Sequence, residues 1–447
     1  MLGNFYIIIP KLYTFGVSIH PPQTGHGWGS MSRTFDTDWI RSQYPIFDLR
    51  SGRPQEIYFD GPGGTQVPRQ VVEAVSGYLV GSNANLHGAF RSSRESDAVV
   101  AEAHRAAADL LGCSPREVIF GPNMTTLTFW LSRAIEHEFG PGDEIVVTRL
   151  DHDANYTPWR SLTPTGVSIR EVRFKPKDCT LDVSALRSAI NRRTKLVAVG
   201  YASNAVGTIN DVKTVVRLAH AVGARVFVDA VHFAPHGPID VKALNCDFLA
   251  CSAYKFFGPH QGLLYGKREH LETLRVYKVR PADDDLPGRL ETGTQNHEGM
   301  AGTVAAIQYI AGVGRRFGSV DPNCSRREAV VAGMTAIRNY ERGLSQRLIR
   351  GLLEIHDLDF YGIRDEGRFD WRVPTVAIRL RGVHPRTISE ALAKRRICVW
   401  DGNFYAVNVT EDLGLEDSGG LVRIGLTHYN TSEEVDRLLE TLQALRP

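Results

Sequence analysis

A lysine stands at position 255 in the stretch CSAYKFFGPH (251–260), directly after the apolar run CDFLA (246–250), which predicts a buried strand. Lysines are almost never fully buried without a partner. An amine at the mouth of a core strand, followed by two Phe and a Gly-Pro turn, is therefore either a snorkelling surface side chain or a reactive group. Asp229 closes a second strand-like run, ARVFVDA (224–230), where by itself a carboxylate could cap a helix or join an ion pair. Together they suggest more. A strand-end Asp upstream of a strand-end Lys is the pairing that pyridoxal phosphate requires: the amine forms a Schiff base, and the carboxylate keeps the ring nitrogen protonated so that the ring can withdraw electrons.

Such residues need strand ends to hold them. EVIF (117–120), EIVV (144–147), VSIREVRF (167–174), KLVAVGYA (195–202), ARVFVDA and DFLACSA (247–253) read as short strands rich in Val, Ile and Phe. Helical patterns such as TTLTFWLSRAIEHEF and VKTVVRLAHAVG lie between several of them. From Ser96, SDAVVAEAHRAAADLLG places apolar residues on one helical face, with Ser96 as N-cap and Gly112 as the stop. This alternation predicts an α/β fold with a mostly parallel sheet wrapped by helices, binding its ligand at the carboxyl ends of the strands. After Gly299 the pattern turns to long helices and a second domain, with further strand-like runs at VPTVAIRL (373–380) and LVRIGL (421–426).

Composition narrows the class. The 447 residues suggest roughly two to three domains, or one large domain with a smaller one attached. The formal charge is 52 basic minus 50 acidic residues, +2, without a basic block, so neither nucleic acid nor an anionic membrane is indicated. Cys113, Cys179, Cys246, Cys251, Cys324 and Cys398 are scattered without a CxxC, which argues against zinc or a disulfide framework and suits a reducing cytoplasm. No apolar run approaches the roughly 18 residues of a membrane span. Residues 1–30, broken by Pro10 and Lys11, read as a loose extension ahead of Met31.

Nine motifs in order carry a family likeness: YFDGPGG, NANLHG, GPNMTTLT, LDHDANYTPW, YASNAVGT, VDAVH, SAYKFFGPHQG, ETGTQN and VRIGLTHYNTSEEVDRL. Over roughly residues 57 to 445 the chain resembles the fold-type I pyridoxal phosphate enzymes of the class V aminotransferase group. It is most similar to the cysteine desulfurase and selenocysteine lyase branch, with isopenicillin N epimerase as a cousin. The resemblance implies a large cofactor-binding domain (61–310) built on a seven-stranded sheet and a small C-terminal α+β domain (311–447). Residues 31–60 are expected to pack on the small domain.

The resemblance also assigns roles. Lys255 is implied as the Schiff-base lysine, Asp229 as the partner of the ring nitrogen, and His152 as the imidazole stacked on the ring. Thr125, Thr126 and Ser252 are implied phosphate ligands, with a helix N-terminus favouring the anion. Asn204 and His232 are implied near the phenolic oxygen, although His232 stands where desulfurases have Gln. Thr294 matches a phosphate ligand supplied by a neighbouring subunit, which implies a homodimer with shared active sites. Arg423 matches the residue that grips the substrate carboxylate with a bidentate fork.

The pattern breaks on the substrate side. In VWDGNFYA (399–406) the family's mobile cysteine falls on Tyr405, and a phenol cannot form a persulfide. Tyr254 replaces a His, and Trp400 stands where desulfurases place an Arg. The expected activity is α,β-elimination from a cysteine-like or S-substituted cysteine substrate: Lys255 removes the Cα proton and the β leaving group departs. Tyr405 either donates its hydroxyl to a leaving group or fills space. An epimerase or aminotransferase is the alternative. A non-catalytic cofactor-binding regulator is the reading from another class, and it would predict loss of Lys255 or Asp229, both of which are present.

Overall fold

The computed structural model describes residues 34–48, 52 and 54–445; the 1–30 extension lies outside them. Seven strands form the main sheet: β1 (Val118–Gly121), β2 (Glu144–Thr148), β3 (Ser168–Val172), β4 (Thr194–Gly200), β5 (Arg225–Asp229), β6 (Phe248–Ser252) and β7 (Gly262–Gly266). Their order is β1-β7-β6-β5-β4-β2-β3. β3, β2, β4, β5 and β6 run parallel, and β7 runs antiparallel to both β6 and β1. β1, β2, β6 and β7 are buried along their whole length. Helices cover both faces of such a sheet, which is why these strands read as continuous apolar runs.

The helices that matter for the site are α1 (Arg69–Gly81), α2 (Arg91–Leu111), α3 (Met124–Ile135), α4 (Val212–His220), α5 (His297–Phe317) and α6 (Arg326–Leu353). α2 starts five residues before the predicted cap: its N-cap is Phe90, and Ser96 lies buried inside the helix. The Ser96 hydroxyl instead donates to the Ser82 carbonyl and lies 2.9 Å from the Tyr78 hydroxyl. A tertiary contact has taken the group that local propensity assigns to a cap. Gly112 does end α2, with φ at +79°. α5 and α6 cross where Gly314 and Gly333 meet, and a Cβ on either would overlap a backbone carbonyl of the other helix.

Four antiparallel strands form a second sheet: β8 (Leu358–Tyr361), β9 (Thr375–Leu380), β10 (Trp400–Gly402) and β11 (Leu421–Gly425), in the order β8-β9-β11-β10. The boundary expected at 310/311 falls inside the unbroken helix α5. The short strand Ile57–Tyr58 pairs in parallel with Ile397–Cys398, and the Asp60 backbone bridges to Gly425 at the end of β11. Among the described residues no helix is long and apolar enough to cross a membrane.

Candidate active site

Most of the candidate residues gather because they follow the carboxyl ends of strands in the main sheet. Thr125 and Thr126 follow β1, His152 follows β2, Asn204 follows β4, Asp229 and His232 end and follow β5, and Ser252 and Lys255 end and follow β6. Arg423 and Tyr405 come from elsewhere. Arg423 lies on β11, and Tyr405 lies in the loop after β10.

At the end of β5, Asp229 is buried and accepts from the Val231 backbone N–H at 2.9 Å through Oδ1. Burial raises its carboxyl to about 6, against the lowering effects of that N–H and of the Lys255 charge. Lys255 occupies a short turn after β6. Burial pushes its amine down to about 7; the Arg423 charge pushes the same way, and Asp229 and Asp60 oppose it. Its Nζ donates to the Pro62 carbonyl and lies 4.8 Å from the centre of the Tyr254 ring.

The N-terminus of α3 presents free donors. Asn123 caps the Thr126 N–H at 2.9 Å, and the Met124 N–H donates to Ser252 Oγ at 3.0 Å. The Ser252 hydroxyl proton is thereby left for another acceptor. Thr125 and Thr126 are exposed, and the Thr125 N–H has no acceptor among the described residues. The backbone of Asn123 approaches Gly262 so closely that a Cβ there would lie 2.5 Å from its carbonyl carbon. Exposed N–H and O–H groups at the start of a helix suit a phosphate.

His152 Nδ1 accepts from the Ala154 N–H at 3.0 Å, which places the ring proton on Nε2. Burial, with the Lys255 and Arg423 charges, pushes its imidazole down to about 4, so the ring is neutral at physiological pH. It stacks on Tyr405 with centroids 5.5 Å apart and planes 17° from parallel. Buried His232 accepts from or donates to the Thr375 hydroxyl at 2.9 Å through Nε2, leaving Nδ1 as the nitrogen available to a ligand. Asn204 is engaged within the chain. Its Nδ2 donates to the Phe404 carbonyl at 2.8 Å, so the atom left buried without a partner is the acceptor Oδ1.

Arg423 is buried and has one of its nitrogens engaged: Nη1 donates to the Asn204 carbonyl at 3.0 Å. Nε is buried without an acceptor, and the guanidinium sits 4.3 Å above the Phe404 ring. Burial presses it down to about 9, and Asp60 is the charge that opposes this. An Nε edge free of protein acceptors is the edge a carboxylate would take in bidentate fashion. Thr294 is exposed and makes no contact with these groups within its own chain.

Asp60 is a site residue that spacing did not single out. Its Oδ1 is buried and unpaired, and burial raises its carboxyl to about 6 while Arg423 and Lys255 pull it back. Its signal was present in YFDGPGG, which also supplies the Pro62 carbonyl beneath Lys255. Asp151 was missed as well: it takes hydrogen bonds from Thr148 and Asn155 at 2.7 Å each, and burial raises it to about 8. Among the described residues no group of three or more His, Cys, Asp or Glu side chains could hold a metal ion.

A family model, Aminotransferase class-V, matches residues 57–317 and 329–438. The chain belongs to this family. Its members use pyridoxal 5'-phosphate, and this is a pyridoxal phosphate-dependent enzyme of the cysteine desulfurase-like group. Aminotransferase-like protein FGM3 of Gibberella zeae is 31% identical over 424 residues, covering 92% of this chain and 99% of that protein. A cysteine desulfurase of Haloferax volcanii is 30% identical over 440 residues, covering 92% and 97%. Among solved structures, the apo cysteine desulfurase of Thermococcus onnurineus NA1 superposes with a TM-score of 0.81 at 29% identity, covering 91% of this chain and 97% of that one.

The residues present fit the family's cofactor. The α3 terminus offers phosphate donors, Asp229 a carboxylate for the ring nitrogen and His152 a neutral ring to stack.

Proposed function

We propose that this enzyme is a C–S lyase that carries out α,β-elimination on a cysteine-like or S-substituted cysteine substrate, without a persulfide-carrying cysteine. The observation that carries this reading is the loop after β10. Tyr405 occupies it, and the nearest thiol in sequence, Cys398, is paired in register with Tyr58, while its carbonyl accepts from the Phe59 N–H at 3.0 Å. Burial, with Glu56 and Asp60, pushes the Cys398 thiol up to about 12. A thiol so protonated and held in a sheet is a poor nucleophile.

When bound, pyridoxal phosphate supplies the sink for the electrons released at Cα. The chain supplies the rest. Arg423 grips the substrate carboxylate through its free edge and fixes the Cα–H bond relative to Lys255. A Lys255 amine that is largely uncharged just above pH 7 can accept the Cα proton, and the Pro62 carbonyl gives it a resting partner. Neutral His152 packs on the ring face without repelling its charge. Once Lys255 has taken the Cα proton, the electron pair left at Cα forms a Cα–Cβ double bond as the Cβ–S bond breaks, and the sulfur leaves with that bond's electron pair as a thiolate. With one water consumed, the products are pyruvate, ammonia and a thiol.

In this reading the seven-stranded sheet is the core of the large domain and the four-stranded sheet that of the small one, the division running along α5. Thr294, unengaged in its own chain, serves the phosphate of a second copy in a homodimer. The six free cysteines suit a reducing cytoplasm.

The test is a panel of amino acids and S-substituted cysteines offered to the purified holoenzyme, with pyruvate, ammonia, sulfide and thiol measured together. Stoichiometric pyruvate and thiol support elimination. Keto acid without thiol would mark an aminotransferase, and inversion at Cα without either product an epimerase.

A further inference from the structure

The groups around Lys255 and Arg423 are joined by an unusual run of aromatic side chains. Tyr254 lies against Lys255 on one side and stacks on His260 on the other, centroids 4.8 Å apart. The same Gly63–Gly64 turn that meets Tyr254 also meets Trp400, since a Cβ at Gly64 would touch the Tyr254 ring and one at Gly63 would overlap Trp400 Nε1. Trp400 is registered opposite Arg423 across the β10–β11 pair. Arg423 lies on Phe404, and the next residue, Tyr405, stacks on His152.

In the single chain Trp400 is 52% exposed and Tyr405 73% exposed, large rings near the buried Arg423 guanidinium and the half-buried Lys255 amine. The loop that carries Tyr405 is not loosely held. Phe404 and Tyr405 both have φ of +57°, a conformation costly for side chains of this size. Three hydrogen bonds oblige the loop to keep it: Asn204 Nδ2 to the Phe404 carbonyl at 2.8 Å, the Asp153 N–H to the Tyr405 carbonyl at 2.7 Å, and the Tyr405 N–H to Asn403 Oδ1 at 3.1 Å. A loop pinned at three points serves to hold a ring in place. It is poorly suited to carrying a group out of the site.

We infer that Trp400 and Tyr405 form a fixed aromatic clamp that selects cysteine conjugates bearing an aromatic group on sulfur. The inference rests on the lyase reading of the site. Exposed aromatic surfaces recover their hydration cost when another ring covers them, with a preference beyond the area buried. For S-aryl conjugates the chemistry agrees: no enzyme thiol helps the sulfur leave, and an aryl thiolate, being a weaker base than an alkyl thiolate, departs more readily unaided.

The experiment separates binding from turnover. Holoenzyme is titrated calorimetrically with S-benzyl-α-methylcysteine and S-methyl-α-methylcysteine, which lack the Cα proton and cannot undergo elimination. In parallel, kcat/KM is measured for S-phenyl-, S-benzyl- and S-methylcysteine. The benzyl ligand should bind about tenfold tighter than the methyl one, and Trp400→Ala and Tyr405→Ala should each remove most of that ratio. Trp400→Phe and Tyr405→Phe, which keep a ring, should retain it. Equal binding of the two ligands by the unmodified enzyme, or a ratio that survives the double Ala variant, overturns the clamp. So does loss of the ratio in Tyr405→Phe, which would place the effect in the hydroxyl. Pyruvate released equally well from all three cysteines would keep the lyase and discard the clamp. A benzyl preference lost in the Ala variants, with no elimination from any substrate, would keep the clamp and discard the lyase.

Discussion

Asp229, the last residue of β5, lies in register with Ala250 of β6, so the chain leaving β6 brings Lys255 back within electrostatic reach of the Asp229 carboxylate. Two residues 26 positions apart are thereby set at the mouth of one pocket by neighbouring parallel strands. The Asp229 charge raises the proton affinity of Lys255, while burial and Arg423 lower it, and the lowering effects win.

Lys255 is expected to hold the cofactor. Lys255→Ala should abolish turnover and the visible absorbance of the lysine-bound cofactor. Borohydride reduction and peptide mapping of the unmodified enzyme should place the pyridoxyl group on residue 255, and a label on another lysine would end the assignment.

The pH dependence of cofactor uptake follows from the same amine. The neutral form attacks an aldehyde, and burial has moved its midpoint from the ordinary 10.5 to about 7. The rate of reconstitution from the cofactor-free protein should therefore rise with pH through about 7 and level off well before the range of an ordinary lysine. Arg423→Gln removes a neighbouring positive charge, favours the protonated amine and should move that midpoint upward. A stopped-flow pH series on both proteins checks the sign.

Asp229→Asn keeps the side-chain shape but removes the charge. Cofactor should still bind, while kcat falls by on the order of a hundredfold or more, the scale on which loss of a charge-stabilising group is felt. Unchanged turnover would mean that the ring nitrogen does not rely on this carboxylate.

Thr294 tests the shared site. Mixing Lys255→Ala with Thr294→Ala protein should yield heterodimers in which one site carries neither defect, and activity lost in each parent should partly return. Full activity in a species that light scattering shows to be monomeric would refute the exchange.

Cys398→Ser should leave turnover essentially intact, and mass spectrometry after incubation with free cysteine should find no added sulfur on residue 398. A persulfide there would return the enzyme to thiol-based desulfuration in spite of the sheet pairing that holds this residue.

Much of this was legible in the chain. The parallel strands announce themselves because burial on both faces demands unbroken apolar runs, and the residues just after those runs fall at the strand ends where such sheets bind ligands. Lys255 and Asp229 were singled out in this way, His152 and the α3 terminus only through the family resemblance, and the order of the motifs identified the family. β7 was not predicted. Gly262–Gly266 is a five-residue run bounded by glycines, and only its pairing with β6 and β1 makes it a strand. Ser96 looked like a cap because local propensity favours that, and a contact with Tyr78, 18 residues away, overrode it. What the sequence by itself determined was the family, the candidate Lys255 and Asp229 pair and most of the strands that carry the site, since these are set by residue type and local period. Tertiary structure alone decided that Asp60 Oδ1 and Arg423 Nε would be buried without partners, that Asn204 would spend its amide on Phe404, and that Tyr405 would be pinned against His152. Those outcomes depend on the second sheet closing over the first, which brings together residues about 200 or more positions apart, and on burial shifting their charges, neither of which has a local signature.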